Sequence, residues 1–233
     1  MFTCPCQVEE CVLCEASLIF SGLAPAQVCE IRGMLSRQRY APGETLFREG
    51  APCTQLMVLR TGQLKLTTAL PDGREQVLGL RVAGQLVGFE TVSDATYPCT
   101  AMALTPVEAC GIAHKDMLRV LKENPSVALR VIQRFHDELA QAQALIRNLG
   151  IKTAHEQVAS FIFSLVPAGA DPAESFPLVL SRLDIAEILG LREETVSRVF
   201  AEFRRQGLIE APRGEIRLLD VDRLRRLAGG ERV

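Results

Sequence analysis

The sequence predicts an α+β chain in three parts: a β-rich N-terminal domain, a long helix, and a small winged helix-turn-helix at the C-terminus. Three observations lead there. Glycines at 43, 50, 62, 73, 84 and 88 cut the first half into short apolar runs. Beyond residue 124 the apolar spacing changes from the strand period to a 4–3 helical rhythm. Near the C-terminus, Ala186, Gly190 and Val196 fall at the spacing of two short helices crossing at a tight turn.

Composition limits the function classes. The 233 residues suffice for one large domain or two small ones, and 48% are apolar, so a packed core is expected. No apolar run approaches the length of a membrane span, and no basic segment followed by a long apolar stretch opens the chain. A cytoplasmic location and no membrane partner are expected. Thiols stay reduced there, so clustered cysteines point to metal binding or redox sensing. Of eight cysteines, four lie in the opening segment MFTCPCQVEECVLCEAS: Cys4, Cys6, Cys11 and Cys14. The net charge of −2 gives no global basic field. Only four lysines occur (Lys65, Lys115, Lys122, Lys152), so arginine carries most basic charge and suits bidentate contact with phosphates and guanine edges.

The elements follow in order. Residues 23–35 read as an amphipathic helix. LMVL and QLKLTT read as strands, PDG (71–73) as a turn, and CTAMAL and VEACGIA complete an antiparallel sandwich or barrel near residue 113. A helix is expected over 124–149, with Ser126 after Pro125 as its start signal and Gly150 as its stop. Its apolar positions are Ala128, Ile132, Phe135, Leu139, Ala142, Ile146 and Leu149. That 3–4 alternation over three heptads is a coiled-coil seam, narrower than the stripe of a core-facing helix, so a homodimer is expected. A second helix (153–166) and a Pro-, Gly- and Ala-rich loop (167–177) lead to the last unit. The expected domains are a Cys-rich segment (1–22), a sensor domain (23–123), a dimerisation helix (124–150) and a DNA-binding domain (151–233).

The stretch SRLDIAEILGLREETVSRVFAEFRRQGLI carries the clearest function. A short helix over 184–189 precedes Gly190, which tolerates positive φ at the sharp turn. A second helix over 192–206 turns Val196, Val199 and Phe203 inward. Its outward residues, Glu193, Glu194, Thr195, Ser197 and Arg198, suit the major groove: Arg198 can donate to guanine, Glu194 can accept from cytosine N4, and Ser197 can reach a base edge. Arg204 and Arg205 suit phosphates. LIEAPRGEIRLLD reads as a hairpin turning at Pro212, Arg213 and Gly214, a wing that brings Arg213 to the DNA backbone. No nucleophile–base pattern, phosphate loop or metal-hydrolase motif occurs, so the chain is not read as an enzyme.

Along nearly its whole length the chain resembles the CRP/FNR superfamily of bacterial transcription regulators. PGETLFREG, LMVLRTGQLKL and DGREQVLGLRVAGQLVGFE are similar to the family's β-roll, a cyclic-nucleotide-binding-like domain. Glu194, Thr195, Val196, Ser197 and Arg198 match the E-T-[IV]-S-R pattern of the FNR branch. The resemblance implies a homodimer acting with RNA polymerase on a palindromic double-stranded TTGAT-type site, with base contacts from Glu194, Ser197 and Arg198. Family members that bind cyclic nucleotides use a Gly-Glu pair and a downstream arginine. Here Phe89 separates Gly88 from Glu90, and no arginine lies near Pro98, Cys99 and Thr100, which argues against cAMP.

The FNR branch holds a [4Fe–4S] cluster on three N-terminal cysteines and one in the β-roll. Cys110 in VEACGIA is similar to that second position. The resemblance therefore implies an iron–sulfur ligand set of Cys6, Cys11, Cys14 and Cys110, with Cys4 as the alternative to Cys6. Thiolates are soft ligands for iron. The spacing departs from the family's C-x2-C-x5-C: here it is C-x-C-x4-C-x2-C. Cys6, Cys11 and Cys14 with a distant cysteine also resemble plant-type [2Fe–2S] ligation, so [4Fe–4S] and [2Fe–2S] both stay open. Zinc, a thiol–disulfide switch, a haem-bound gas or a small organic effector are the alternative inputs. Cys53 and Cys99 are expected to be ordinary buried or half-buried residues, Cys29 to pack on its helix, and His114, His136 and His155 to lie at the surface or pack.

Overall fold

A computed structural model describes residues 18–20, 23–73, 75–88, 96–166 and 171–230. Two compact units make up the chain, Met1–Glu138 and Leu139–Val233, and the division falls inside one helix.

The first unit opens with a short 3₁₀ turn (Leu18–Phe20) and helix α1 (Pro25–Gly33). Gln27 ties that helix down: its Oε1 accepts from the Ala24 N–H at 2.9 Å, and its Nε2 donates to Asn124 Oδ1 at 2.6 Å. Eight strands follow: β1 (Leu35–Tyr40), β2 (Thr45–Phe47), β3 (Gln55–Thr61), β4 (Gln63–Ala69), β5 (Glu75–Val82), β6 (Leu86–Val87), β7 (Thr100–Ala103) and β8 (Val107–Ala113). They form two antiparallel sheets, ordered β1-β8-β3-β6 and β2-β7-β4-β5. Gly62 joins β3 to β4 at φ 87°, and a Cβ there would stand 2.3 Å from the Pro106 carbonyl oxygen.

The first sheet is buried on both faces. Met57, Leu59, Val107 and Ala109 point into the roll, where they meet Phe47, Leu64, Leu66, Ala101 and Ala103 of the second sheet. Leu56, Val58, Cys110 and Ile112 point the other way, into a second cluster with Ile19, Phe20, Ile31, Met117, Val120, Val127 and Val131. This double burial is why LMVL reads as an unbroken apolar run and not as an alternation.

Helix α2 (His114–Glu123) was not anticipated from the sequence, although Met117, Val120 and Leu121 form the i, i+3, i+4 stripe that packs it onto β8. Helix α3 (Pro125–Ile151) starts one residue before the expected Ser126 and runs through Gly150, the expected stop. Gly150 meets no neighbouring atom, so no steric feature forces a break there. The chain re-nucleates at Thr153, which caps helix α4 (Ala154–Ser164) through a capping box with Glu156.

In the second unit, the loop expected over 167–177 contains strand β9 (Phe176–Pro177). Helices α5 (Arg182–Leu189) and α6 (Glu193–Arg205) follow, then β10 (Ile209–Glu210), β11 (Glu215–Leu218) and α7 (Val221–Ala228), which the sequence reading had not identified. The three strands pair antiparallel as β10-β11-β9. Val158, Ile162, Ile185, Val196, Phe200, Phe203, Ile209, Ile216 and Leu224 fill this unit's core. Among the described residues no helix is long and apolar enough to cross a membrane.

Candidate nucleic-acid interface and cysteine face

Helix α5 is capped by Ser181. Its Oγ accepts from the Asp184 N–H at 3.0 Å, while Asp184 Oδ2 accepts from the Ser181 N–H at 2.9 Å and hydroxyl at 2.6 Å. The helix ends at Gly190 with φ 61° and ψ 30°, the left-handed conformation that the turn requires. The Leu191 N–H then donates to the Ala186 carbonyl at 2.9 Å. Ala186 is 2% exposed and Val196 fully buried, so the two helices cross where the side chains are small.

On α6, Val196, Val199, Phe200 and Phe203 are buried, which turns Glu193, Glu194, Ser197 and Arg198 to solvent and leaves Thr195 half-buried. Both flanks of that outward face are braced. On one, the Arg182 guanidinium lies 3.6 Å above the Phe200 ring. Burial, and then the nearby Arg204, lower the Arg182 pKa from its ordinary value. On the other, His155 Nε2 of α4 stands 3.0 Å from Glu202 Oε2. That contact is the main reason the Glu202 carboxyl sits below its ordinary pKa, and Arg205 and Arg198 add to it. Arg204 and Arg205 are exposed in the last turn, and Arg213 is exposed beside Gly214 (φ 83°) in the β10–β11 turn. A helix face with an arginine, two carboxylates and hydroxyls, flanked by exposed guanidiniums, has the donors and acceptors that base edges and phosphates need.

The first unit presents a different surface. Cys110 is 7% exposed and sits on the face of β8 that looks out of the roll onto the helices. Ile19 and Phe20, five and six residues past Cys14, are buried in the same cluster, as are Val127 and Val131 of α3. The Ile19 carbonyl accepts from Arg130 of α3 at 3.3 Å. Arg37 faces Cys110 from β1 and Val58 from β3. Cys53 is half-buried and Cys99 buried, as expected, while Cys29, expected to pack on its helix, is exposed. Among the described residues no group of three His, Cys, Asp or Glu side chains is placed to hold a metal ion. Cys4, Cys6, Cys11 and Cys14 lie outside the described residues. Of the thiols expected as ligands, Cys110 is the one that lies among the described residues.

Residues 37–124 match the family "Cyclic nucleotide-binding domain" and residues 156–227 the family "Crp-like helix-turn-helix domain". The transcriptional activator protein anr of Pseudomonas aeruginosa is 35% identical over 81% of this chain and 79% of its own length. The chain belongs to the CRP/FNR family of transcription regulators. The nitrogen fixation regulation protein FixK of Bradyrhizobium diazoefficiens is 33% identical over 94% of this chain and 93% of its own. The fumarate and nitrate reduction regulatory protein of Escherichia coli is 29% identical over 98% and 93%. Among solved structures, FixK2 from Bradyrhizobium japonicum superposes with a TM-score of 0.76 at 26% identity, covering 85% of this chain and 98% of that one.

In this CRP/FNR regulator the residues expected at DNA lie together: Glu194, Thr195, Ser197 and Arg198 on one turn and a half of α6, with Arg213 in the wing. The expected seam is divided. Ile132, Leu139, Ala142 and Ile146 are exposed, at 61%, 58% and 69% for the three large ones. Leu149 is half-buried, and Phe135 packs on the core of its own unit. Leu129, which the heptad count omitted, is 62% exposed beside Ile132. Sequence reasoning also missed Arg182 and His155, because a stacking partner and a helix-to-helix ion pair leave no periodic signal.

Proposed function

We propose that this regulator works as a homodimer whose DNA binding answers to oxygen, nitric oxide or redox state through an iron–sulfur cluster held by Cys110 and the N-terminal thiols. The observation that carries the reading is the cluster shared by Cys110, Ile19, Phe20, Val127 and Val131. It joins one thiol, the root of the cysteine segment and the start of the long helix in a single packed core. Cys6, Cys11 and Cys14, with Cys4 as the alternative to Cys6, supply the other ligands in this reading, as [4Fe–4S] or [2Fe–2S]. The bound group supplies sensitivity to small oxidants. The chain's own residues do the rest: Ile19 and Phe20 pack against Val127 and Val131, and Arg130 holds the Ile19 carbonyl, so a change in the cysteine segment bears directly on α3.

In the dimer, Leu129, Ile132, Leu139 and Ile146 meet their partner copies and remove exposed apolar surface from water. Two α6 helices then address half-sites one helical turn apart on a palindromic TTGAT-type operator, with Glu194, Ser197 and Arg198 at base edges, Thr195 beside them and Arg213 at the backbone. The Pseudomonas relative is named a transcriptional activator protein, which supports activation as the output; RNA polymerase is the expected partner. cAMP is not the effector in this reading. Phe47 stacks on Tyr97 at 4.0 Å inside the roll, and Met57, Leu64 and Leu66 fill the space around them.

The test is operator binding by wild type and Cys110→Ser, each prepared without oxygen and again in air. Oxygen-dependent binding in wild type and oxygen-independent binding in the variant are expected. Equal binding by all four preparations sinks the sensing mechanism. An Ile132→Asp/Ile146→Asp variant is expected to sediment as a monomer; a persistent dimer excludes this seam.

A further inference from the structure

Helix α3 ends at Ile151 and α4 begins at Ala154, with Lys152 and Thr153 between them. A helix end leaves its last carbonyls without intrahelical donors. Here one side chain gathers them. Gln157 Nε2 donates to the Lys152 carbonyl at 3.2 Å, and the Leu149 and Asn148 carbonyls lie 3.4 and 3.5 Å from the same nitrogen. Gln157 is 6% exposed, and its Oε1 is buried with no hydrogen-bond partner among the described residues. The reversed amide would set that oxygen against three carbonyl oxygens, so the side chain is held with its N–H groups toward α3. Burying an acceptor without a donor costs free energy, and the contacts to the three carbonyls offset that cost.

Another side of α4 holds the DNA-reading helix. Residues two apart on a helix do not share a face. His155, two before Gln157, reaches Glu202 of α6 at 3.0 Å. Val158 and Ile162, further along α4, are fully buried. A second tie crosses the joint, from Lys152 Nζ to Ser160 Oγ at 2.7 Å. The first turns of α4 thus grip the end of α3 with one side chain and α6 with another. All of these residues lie in the unit Leu139–Val233.

We propose that Gln157 is a positioning residue for operator recognition. By holding the last carbonyls of α3 it fixes the direction in which α4 and α6 leave that helix, and so sets the half-site separation that the regulator accepts. This rests on the homodimer reading given under Proposed function. Two half-sites lie about one DNA turn apart, and one base pair more or less moves a half-site by about 3.4 Å and roughly a tenth of a turn. A stiff joint accepts one separation. A loose joint accepts several, and must be ordered before both recognition helices can engage.

The experiment uses full-length protein prepared without oxygen and three kinds of duplex. These are a palindrome chosen by binding-site selection on wild type, the same palindrome with one base pair added or removed at its centre, and a single half-site. Gln157→Met keeps the size of the side chain and removes its donors. Gln157→Glu keeps the shape and puts oxygens against the carbonyls. Wild type is expected to favour the unaltered spacing. That preference is expected to fall about fivefold or more in Gln157→Met and further in Gln157→Glu, with half-site affinity kept within about twofold. Packing alone would instead rank the isosteric Glu with Gln. An unchanged preference in Gln157→Met overturns the proposal, and so does a Gln157→Glu protein that behaves as wild type. Lost half-site affinity in Gln157→Met also overturns it, and assigns Gln157 to the folding of the DNA-reading unit. Sedimentation keeps the two readings apart. A dimeric wild type with no spacing preference removes the positioning role and keeps the homodimer. A monomeric wild type that binds palindrome and half-site alike removes the homodimer and the proposal with it.

Discussion

The DNA-reading unit and the β-roll unit put their functional residues together in opposite ways. In the C-terminal unit, Glu194, Ser197 and Arg198 share one helix and the turn that sets it lies a few residues upstream at Gly190. In the N-terminal unit, Cys110 and the root of the cysteine segment are about ninety positions apart in sequence and meet only because β8 and the 3₁₀ turn pack into one cluster. A local site is written as a motif. A site assembled across a fold is written as separate residues whose relation appears only when strand pairing and packing are known.

Five substitutions break or sharpen that contrast. Phe203→Ala empties a core position that is 1% exposed and is expected to destabilise the C-terminal unit by about 3–5 kcal/mol. Operator binding should vanish while the roll keeps its own thermal transition; a single shared transition would show that the units are not separable. Arg198→Ala is expected to cost about 10- to 100-fold in operator affinity and to relax selectivity at one base position in a binding-site selection. Arg213→Ala should instead weaken all sequences alike and reduce the salt slope by about 1. If Arg198→Ala changes only the salt slope, the α6 face is not reading bases. Gly190→Ala meets no atom, so its cost is the left-handed backbone alone, about 1–2 kcal/mol by denaturant unfolding. The smallest effect is expected for Glu202→Gln, which removes the brace from His155 to α6. The folded Glu202 has a lowered pKa, so its contribution is present above the ordinary carboxylate range and is lost as pH falls through the folded value. Wild type and variant should therefore differ in melting temperature near pH 7 and converge as pH falls below the lowered folded value. A difference that persists at lower pH would mean that the pair acts by packing and not by charge.

Much of the fold was legible because its signals are local. The glycine-punctuated strands, the turn at Gly190, the buried stripe of Val196, Val199 and Phe203, and the wing at Gly214 each follow from spacing or from a φ that only certain residues adopt. Helix α2 was hidden by charge: His114, Lys115, Asp116, Arg119, Lys122 and Glu123 surround the short stripe at Met117, Val120 and Leu121. Strand β9 has two residues, too few to show a period, and exists because β11 pairs with it. The seam was read from α3 alone, which cannot reveal that Phe135 turns back to its own core while Leu129 turns out. The ion pairs from Arg37 and Arg39 to Glu108 needed the register of β1 and β8, which no single strand contains.

The most direct measurement is the iron and acid-labile sulfide content, with the visible spectrum, of wild type and Cys110→Ser isolated without oxygen. Stoichiometric iron and sulfide with a visible charge-transfer band in wild type, and their loss in Cys110→Ser while the melting temperature is kept, is the predicted result. A colourless, iron-free wild type, or a Cys110→Ser protein that retains the full complement, contradicts the account.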